Sequence, residues 1–286
     1  MPRPLAALLL SIAGTLVAGD FPRSLVSPAG AAPKLDGVIS PGEWDDASVF
    51  RGPQGWLAQF SPVRDPSDLS FTGYVKHDAR RLYFAFLVRD DVLYGIDTPR
   101  WLPPNNARAH ELTRAGWPWF GDEIEILVHA GGPVARDAYA AGDGSSWQMV
   151  ANLTKSRLGG IGTGGLLEGE PRSRESAWNT YRRWIETRAM EAAARPLAGG
   201  HGYVIEWAIS FNPCLEFAPG RFVDPAQGGR AVGLNIAAGD LDQPEKGRGN
   251  FGNFHHEMWF AGTKDHATRI RYWGTLWIQP LKPARR

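Results

Sequence analysis

Tryptophan is the residue type in this chain that offers the clearest chemistry. The sequence contains twelve tryptophans, and several stand in polar or loop contexts: Trp101, Trp117, Trp119, Trp147, Trp178 and Trp259. An exposed indole presents a flat, weakly hydrated face on which the C–H side of a pyranose stacks, while amides and carboxylates at its rim bind the hydroxyls. Trp207, on the apolar face of a strand, and Trp273 and Trp277, beside a Gly-Thr turn, are expected in the core instead. The composition therefore suggests carbohydrate binding.

Carboxylates near residue 123 raise the alternative of glycoside hydrolysis. Glycosidases hold two carboxyl groups about 5 to 9.5 Å apart across a cleft. Glu123 and Glu125 share one side of a predicted strand at roughly 7 Å, while Asp122 and Glu123 face opposite sides. A lone strand face is not a cleft, so the geometry permits hydrolysis without supporting it. The chain also has no recognisable nucleophile elbow for Ser-His-Asp catalysis.

Two adjacent histidines invite a zinc interpretation. His255 and His256 precede Glu257, and His266 lies downstream. Adjacent residues of a strand point to opposite faces, which makes joint ligation of one metal awkward. Hydrogen bonding from these histidines to sugar hydroxyls or to loop backbone is the more economical use.

The elements that must position these residues are short and β-type. Apolar and polar residues alternate with period two, turn residues separate the segments, and helices do not alternate with them. This pattern predicts an all-β, antiparallel β-sandwich. The predicted strands cover residues 71–76, 82–88, 123–129, 147–153, 203–211, 232–237 and 272–278.

The rest of the chain divides into a leader, a linker and an insert. Residues 1–18 have Arg3 and a short apolar run, which predicts a secretory signal and a secreted or periplasmic protein. Residues 19–33 are rich in Pro, Gly and Ala and predict a linker, and 34–280 predict the sandwich. An insert at 155–200 is predicted as a glycine-rich loop followed by a helix or a strand, with a strand favoured at 188–195. Cys214 is the only cysteine, so no intrachain disulfide forms and a buried hydrophobic role is expected for it.

Charge excludes two classes of partner. The formal net charge is +1, so no basic field is available to hold nucleic acid or an anionic membrane surface. The partner that the tryptophans in polar contexts predict is a saccharide, whether mono-, oligo- or polysaccharide.

An ordered series of short motifs adds a family resemblance. LDG and GEWDDA near the start are followed by VKHDARRLYFAFLVRDD, WPWFGDEIEILVHAGG, GYVIEWAISF, VGLNIAAGDLD, FHHEMWFAG and YWGTLWIQP. The series resembles family 9 carbohydrate-binding modules and their DOMON-like relatives, which are jelly-roll or immunoglobulin-like β-sandwiches. The resemblance covers residues 34–280. It implies a non-catalytic binding module that serves polysaccharide breakdown beside a partner glycoside hydrolase.

The resemblance also implies site residues. In that family two tryptophans clamp a terminal sugar while a Glu, an Asn and an Arg hydrogen-bond it. Trp119 and Trp259 would be the two plates, Glu125 the carboxylate and Asn152 the amide. Val150 stands where the arginine is expected, which leaves the usual specificity in doubt.

Calcium is a further implication of the resemblance. Family members hold it with acidic side chains near strand ends, and here Asp240 and Asp242 are the candidates for a structural calcium ion, with Asp90 and Asp91 also rich in oxygen. No other cofactor is expected to be required. An acidic turn without an ion remains the alternative.

Two rival functions remain open beside the glycosidase. Some DOMON-type domains bind haem b through Met and His and transfer electrons, and this chain has Met149, Met190 and Met258 together with seven histidines. In a second rival the 155–200 insert fills the sugar cleft and the domain serves interactions at the cell surface.

Overall fold

Two mainly antiparallel sheets form most of the part of the chain that the structure describes. The computed structural model describes residues 23–58, 63, 65–93, 122–134, 145–153, 174–242, 255–261 and 269–281, with backbone alone at 152, 174–178, 255–257 and 259. In the described part the strands far outnumber the helices, as the predicted all-β sandwich requires, and that prediction is confirmed. No helix there is long and apolar enough to cross a membrane.

The large sheet has seven strands and is organised around the longest one, β12 (Arg230–Leu241). One edge of β12 pairs with β6 (Glu123–His129), which in turn pairs with β7 (Ser146–Asn152). The other edge pairs with β14 (Gly274–Ile278) and β13 (His255–Trp259). Two short strands complete the sheet: β1 (Ser24–Ser27) runs parallel to β14, and β3 (Leu57–Ala58) pairs with β13.

The small sheet has five strands in the order β2-β4-β5-β9-β8, all antiparallel. Its strands are β2 (Ser48–Gly52), β4 (Leu69–His77), β5 (Arg81–Asp90), β8 (Met190–Pro196) and β9 (Tyr203–Ser210). A separate hairpin is formed by β10 (Glu216–Ala218) and β11 (Arg221–Phe222). Helix α1 (Arg174–Glu186), a helical turn at Phe211–Cys214 and a 3-10 turn at Ile270–Tyr272 connect strands.

The main core lies between the sheets and explains the period-two patterns. Ile124 and Ile126 of the large sheet and Phe84, Phe86 and Trp207 of the small sheet belong to one buried cluster, and all five are inaccessible to solvent. Burying a side chain of this size stabilises the fold by about 1.5–3 kcal/mol. The core therefore suffices without a disulfide, and Cys214 lies buried within it, where burial raises its pKa well above the usual range.

Strand β5 is apolar almost throughout because both of its faces are covered. Phe84 and Phe86 face the main core, while Tyr83 and Ala85 form a second cluster with Trp44 on the other side of the small sheet. A strand buried on both faces does not need polar residues at every second position, because neither face contacts solvent. This accounts for the continuous run that the sequence shows there.

The LDG and GEWDDA motifs hold the N-terminal segment against that outer side. Glu206 of β9 accepts hydrogen bonds from the backbone N–H groups of Asp36 (3.0 Å) and Gly37 (2.8 Å) and from Trp44 Nε1 (3.3 Å). Gly37 has φ +75° and a Cβ there would lie 2.8 Å from Cβ of Arg195, so only glycine fits. These motifs therefore anchor the N-terminal segment to the small sheet.

Several sequence expectations need correction. The segment 19–33, predicted as a linker, contains a strand, β1 (Ser24–Ser27). The backbone of β1 pairs with β14 at the edge of the large sheet. Trp147, expected in an exposed context, is buried against Tyr181 and Trp184 of α1. Trp277, expected in the core, is 42% exposed because β14 turns this position outward, whereas Trp273 and Trp207 are buried as expected.

The 155–200 insert contains two described elements. Helix α1 and strand β8 (Met190–Pro196) both lie in its second half, and β8 confirms the strand that was favoured there. Tyr181 and Trp184 of α1 join the main core. The insert therefore contributes structure to the sandwich as well as connecting its strands.

Candidate functional site

The outer face of the large sheet carries a buried carboxylate, Glu125. Because Ile124 and Ile126 face the core, the alternation of β6 turns Glu125 to the opposite face of the sheet. Gln148 Nε2 donates a hydrogen bond of 2.8 Å to Glu125 Oε2. Glu125 is only 2% exposed, and this burial raises its pKa to about 7, although the Gln148 hydrogen bond acts in the opposite direction. The carboxylate is therefore poised between its neutral and ionised forms near neutral pH.

The register of the sheet brings other predicted positions close to Glu125. Glu125 lies directly opposite Ala237 of β12, and Ala237 lies directly opposite Trp259 of β13. Two strand spacings separate Glu125 from Trp259, which places their backbones roughly 10 Å apart. Asn152 of β7 lies opposite Glu123, two residues along β6 from Glu125. Three of the four positions predicted for sugar binding thus share one region of the large sheet.

The remaining sugar-site predictions have different outcomes. Trp119 lies outside the described residues, and for Asn152 and Trp259 only the backbone is described. Val150 lies opposite Glu125 and is fully buried, so no arginine occupies the position where the resemblance expects one. Glu125 and its hydrogen bond are the part of the predicted site that the geometry defines.

Apolar and amide groups surround Glu125 on the same face. Leu127 and Ala237 pack with Ile270 and Trp273 in a cluster separate from the main core. Asn235 is fully buried, and its Oδ1 accepts the backbone N–H of Ala261 at 2.9 Å. Within the described part of the chain its Nδ2 finds no acceptor. An aromatic ring, a carboxylate and amides in one region are the groups that recognise a sugar.

A second group of side chains forms an acidic cluster at one end of the sandwich. Asp90, Asp122 and Asp240 are all buried, and each brings a carboxylate oxygen within 4.8 Å of the others. A neighbouring triad of Asp68, Asp91 and Asp242 meets the same limit. Both residues predicted as calcium ligands, Asp240 and Asp242, therefore lie among other carboxylates.

The acidic cluster bridges the two sheets. Asp90 is the last residue of β5 in the small sheet, and Asp240 is the penultimate residue of β12 in the large sheet. Tyr203, at the start of β9, is fully buried beside them, and burial followed by the charges of Asp122, Asp90 and Asp240 raises its pKa well above the usual value. Carboxylates from both sheets therefore lie close together at this end of the sandwich.

The electrostatics of this cluster favour neutralisation. Burial, followed by the charge of Asp90, raises the pKa of Asp240 to about 9. Burial is also the main reason that the pKa of Asp90 rises to about 7. Neither carboxylate oxygen of Asp240 accepts a hydrogen bond within the described part of the chain. Buried carboxylates without donors need protons or a cation, and an all-oxygen donor set suits Ca²⁺.

Sequence reasoning missed three members of these sites: Gln148, Asp68 and the cluster role of Asp122. Asp68 and Asp122 immediately precede β4 and β6, while Asp90 and Asp240 lie at the ends of β5 and β12. In an antiparallel sheet the start of one strand lies beside the end of its neighbour. Acidic residues at the starts and ends of neighbouring strands were therefore the sequence signal that could have predicted this cluster.

The methionines that the haem interpretation relied on lie in the main core. Met149, Met190 and Met258 all belong to the apolar cluster between the sheets. Their positions are explained by packing, because unbranched thioether side chains fill irregular gaps in a core.

Comparison with solved structures supports the architecture. The chain is similar to a family 9 carbohydrate-binding module from Caldicellulosiruptor kristjanssonii in complex with cellotriose, with a TM-score of 0.51 at 11% identity over 92% of this chain and 100% of that one. A family 9 module from the same organism, solved in complex with glucose, gives a TM-score of 0.52 at 11% identity with the same coverage. No protein-family model matches the chain, and no curated protein matches it in sequence. The shared feature is the fold.

Proposed function

We propose that this chain is a carbohydrate-binding domain that takes a sugar on the outer face of the large sheet, around Glu125. The observation that carries the proposal is the register row in which Glu125 and Trp259 both lie opposite Ala237. The similar modules were solved with cellotriose and with glucose, which supports a saccharide as the ligand class.

In this proposal the sugar ring stacks between Trp119 and Trp259 while Glu125 and Asn152 bind its hydroxyls. Gln148 holds the Glu125 carboxylate in place through its 2.8 Å hydrogen bond. Each ionised acceptor that binds a hydroxyl adds about 1.5–3 kcal/mol. Glu125 is 2% exposed and would form the base of the site. The groups that cover Glu125 would have to move before a sugar hydroxyl reaches its carboxylate.

Calorimetric titration with glucose and cellotriose tests this proposal. We expect the wild-type chain to bind at least one of them and Glu125→Gln to bind about tenfold more weakly or worse. Glu186→Gln is the matched control, because Glu186 is an exposed residue at the end of α1. Absence of binding to any neutral saccharide in a glycan screen would refute the function and leave the fold unaffected.

We further propose that the acidic cluster holds a structural calcium ion. Asp240 and Asp90 would be ligands from opposite sheets, with Asp122 completing the buried triad and Asp242 the neighbouring one. Bound Ca²⁺ would supply the positive charge that these carboxylates otherwise lack. The ligands would then tie the large sheet to the small one at this end of the sandwich.

The N-terminal pattern and the family resemblance support a proposal about the cellular setting. We propose that the chain is exported and acts beside a glycoside hydrolase in the breakdown of polysaccharide. Fractionation of cells that produce the full chain, with mass measurement of the mature N-terminus, tests the export.

A further inference from the structure

A polar cleft lies at the end of the small sheet, where β4 turns into β5. Its volume is about 860 Å³, which is within the range of small-molecule sites. The β4–β5 turn, the segment after β9, the β10–β11 hairpin with the residues that follow it, and N-terminal residues between 32 and 35 form its walls. The cleft lies at the Arg81 end of β5 and the acidic cluster at the Asp90 end, which separates them by roughly 30 Å. Among the described residues that line it, none belongs to a strand of the large sheet.

Two arginines of this cleft are available to a ligand. Arg81 is fixed by Glu191, with Nη1 at 2.6 Å from Oε1. Arg80 and Arg221, by contrast, are exposed and form no ion pair with a residue in the described part of the chain. Phe217 lies under the Arg221 guanidinium, 5.0 Å from its ring centroid, and orients that side chain.

The acidic residues of the cleft are already engaged. Asp78 Oδ1 accepts the backbone N–H groups of Arg80 (2.6 Å) and Arg81 (2.7 Å), and its Oδ2 accepts the Tyr83 hydroxyl at 2.8 Å. Asp224 accepts the backbone N–H of Ala226 and the Gln227 side-chain amide. These carboxylates therefore stabilise their own turns and leave the two guanidinium groups to a ligand.

We propose that this cleft is a second ligand site, which takes a hexuronic acid unit. Arg80 and Arg221 bind its carboxylate, because the planar guanidinium fork matches a carboxylate with two parallel hydrogen bonds. The Asn212 amide and the Gln227 amide oxygen are offered to the ring hydroxyls, while Gln227 Nε2 donates to Asp224. The cleft is much larger than an inorganic anion, which favours an acidic sugar over free sulfate or phosphate. The proposal is independent of the sugar site at Glu125.

Calorimetric titration of the full chain with glucuronate, glucose and inorganic sulfate tests this second site. We expect glucuronate to bind, Arg80→Ala and Arg221→Ala each to weaken it about tenfold or more, and Arg221→Lys to weaken it as well. Rising ionic strength should lower the affinity because the contact is charged. Arg51→Ala is the matched control, since Arg51 is an exposed arginine of β2 outside the cleft.

Glu125→Gln separates the two sites. It should bind glucuronate as the wild type does while losing affinity for neutral sugar, and Arg221→Ala should show the reverse. The second site is refuted if wild-type protein does not bind glucuronate, or if Arg80→Ala and Arg221→Ala both retain full affinity. Sulfate binding as tight as glucuronate binding would overturn the assignment to an acidic sugar.

Discussion

Glu125 and Trp259 lie in one register row of the large sheet, on either side of β12, and both are directly opposite Ala237. The residue between them has the smallest side chain after glycine. Ala237 is fully buried and packs against Ile270 and Trp273. In the proposed site the carboxylate and the tryptophan position would therefore flank this covered residue, with backbones roughly 10 Å apart. This spacing suits a ring held at its edge by hydrogen bonds and at its face by stacking.

Replacement of either proposed plate should weaken sugar binding. We expect Trp119→Ala and Trp259→Ala each to reduce affinity for glucose or cellotriose at least about tenfold, because stacking area is lost. Trp277→Ala is the matched control, since Trp277 is 42% exposed. It lies opposite Ala231 of β12, six residues along that strand from Ala237. Tryptophan fluorescence titration measures the change. Unaltered affinity in both plate variants would exclude the clamp.

The pH dependence of stability should report on Glu125. Its pKa is about 7 in the folded chain, against the ordinary glutamate value of 4.5 that applies to an unfolded one. Between these values the folded chain binds more protons than the unfolded chain, so ionisation of Glu125 lowers the free energy of unfolding as pH rises through the window. Glu125→Gln should therefore gain stability relative to wild type on going from pH 5 to pH 8, by up to roughly 3 kcal/mol. Urea unfolding at both pH values checks this, and an identical difference at both would contradict it.

The sequence predicted the strands of this fold better than it predicted the sites. Residues 123–129 alternate so regularly that the predicted strand coincides with β6, and the continuous run of β5 follows from burial on both faces. Ser24–Ser27 could not be predicted as a strand, because its pairing partner β14 lies far along the chain. The prediction of a core position for Trp277 was wrong for a similar reason. The strand register that turns its side chain outward depends on the whole sheet.

Only some of the site residues could be predicted from the sequence. Side chains that meet across neighbouring strands are distant in sequence. Glu125 was identified from the family pattern, but its partner Gln148 is 23 residues away and depends on the register of β6 and β7. Asp240 and Asp242 were identified from the family resemblance, which expects acidic calcium ligands near strand ends. Their proximity to Asp90 and Asp68 required knowledge of how the two sheets pack.

Calcium should stabilise the chain. Saturation at one hundred times the dissociation constant adds about 2.7 kcal/mol to the free energy of unfolding, and Asp240→Asn should abolish most of this gain. Asp45→Asn is the control, because Asp45 is exposed and lies outside the acidic cluster. Thermal unfolding with calcium, magnesium and chelator measures the effect. An equal melting temperature with calcium and with chelator would refute the calcium proposal.

The calcium effect should grow as pH rises. The pKa of Asp240 is raised from 3.8 to about 9, so without calcium the folded chain retains a proton that the unfolded chain loses, and stability falls across this range. Calcium competes with these protons and binds the ionised carboxylates. The increase in melting temperature caused by calcium should therefore be larger at pH 8 than at pH 5.5. A constant increase at both pH values would show that the buried triad does not bind the ion.

Glu206 should stabilise the fold without affecting ligand binding. It is fully buried and accepts hydrogen bonds from the backbone N–H groups of Asp36 and Gly37 and from Trp44 Nε1. Glu206→Ala leaves these donors without their acceptor, which should lower the free energy of unfolding by about 1–3 kcal/mol for each donor that stays buried. Sugar affinity at Glu125 should not change, because Glu206 belongs to the small sheet. Urea unfolding and calorimetric titration of the same protein sample measure both quantities, with Glu186→Ala as the control. Wild-type stability in Glu206→Ala would show that the LDG and GEWDDA motifs do not hold the N-terminal segment in place.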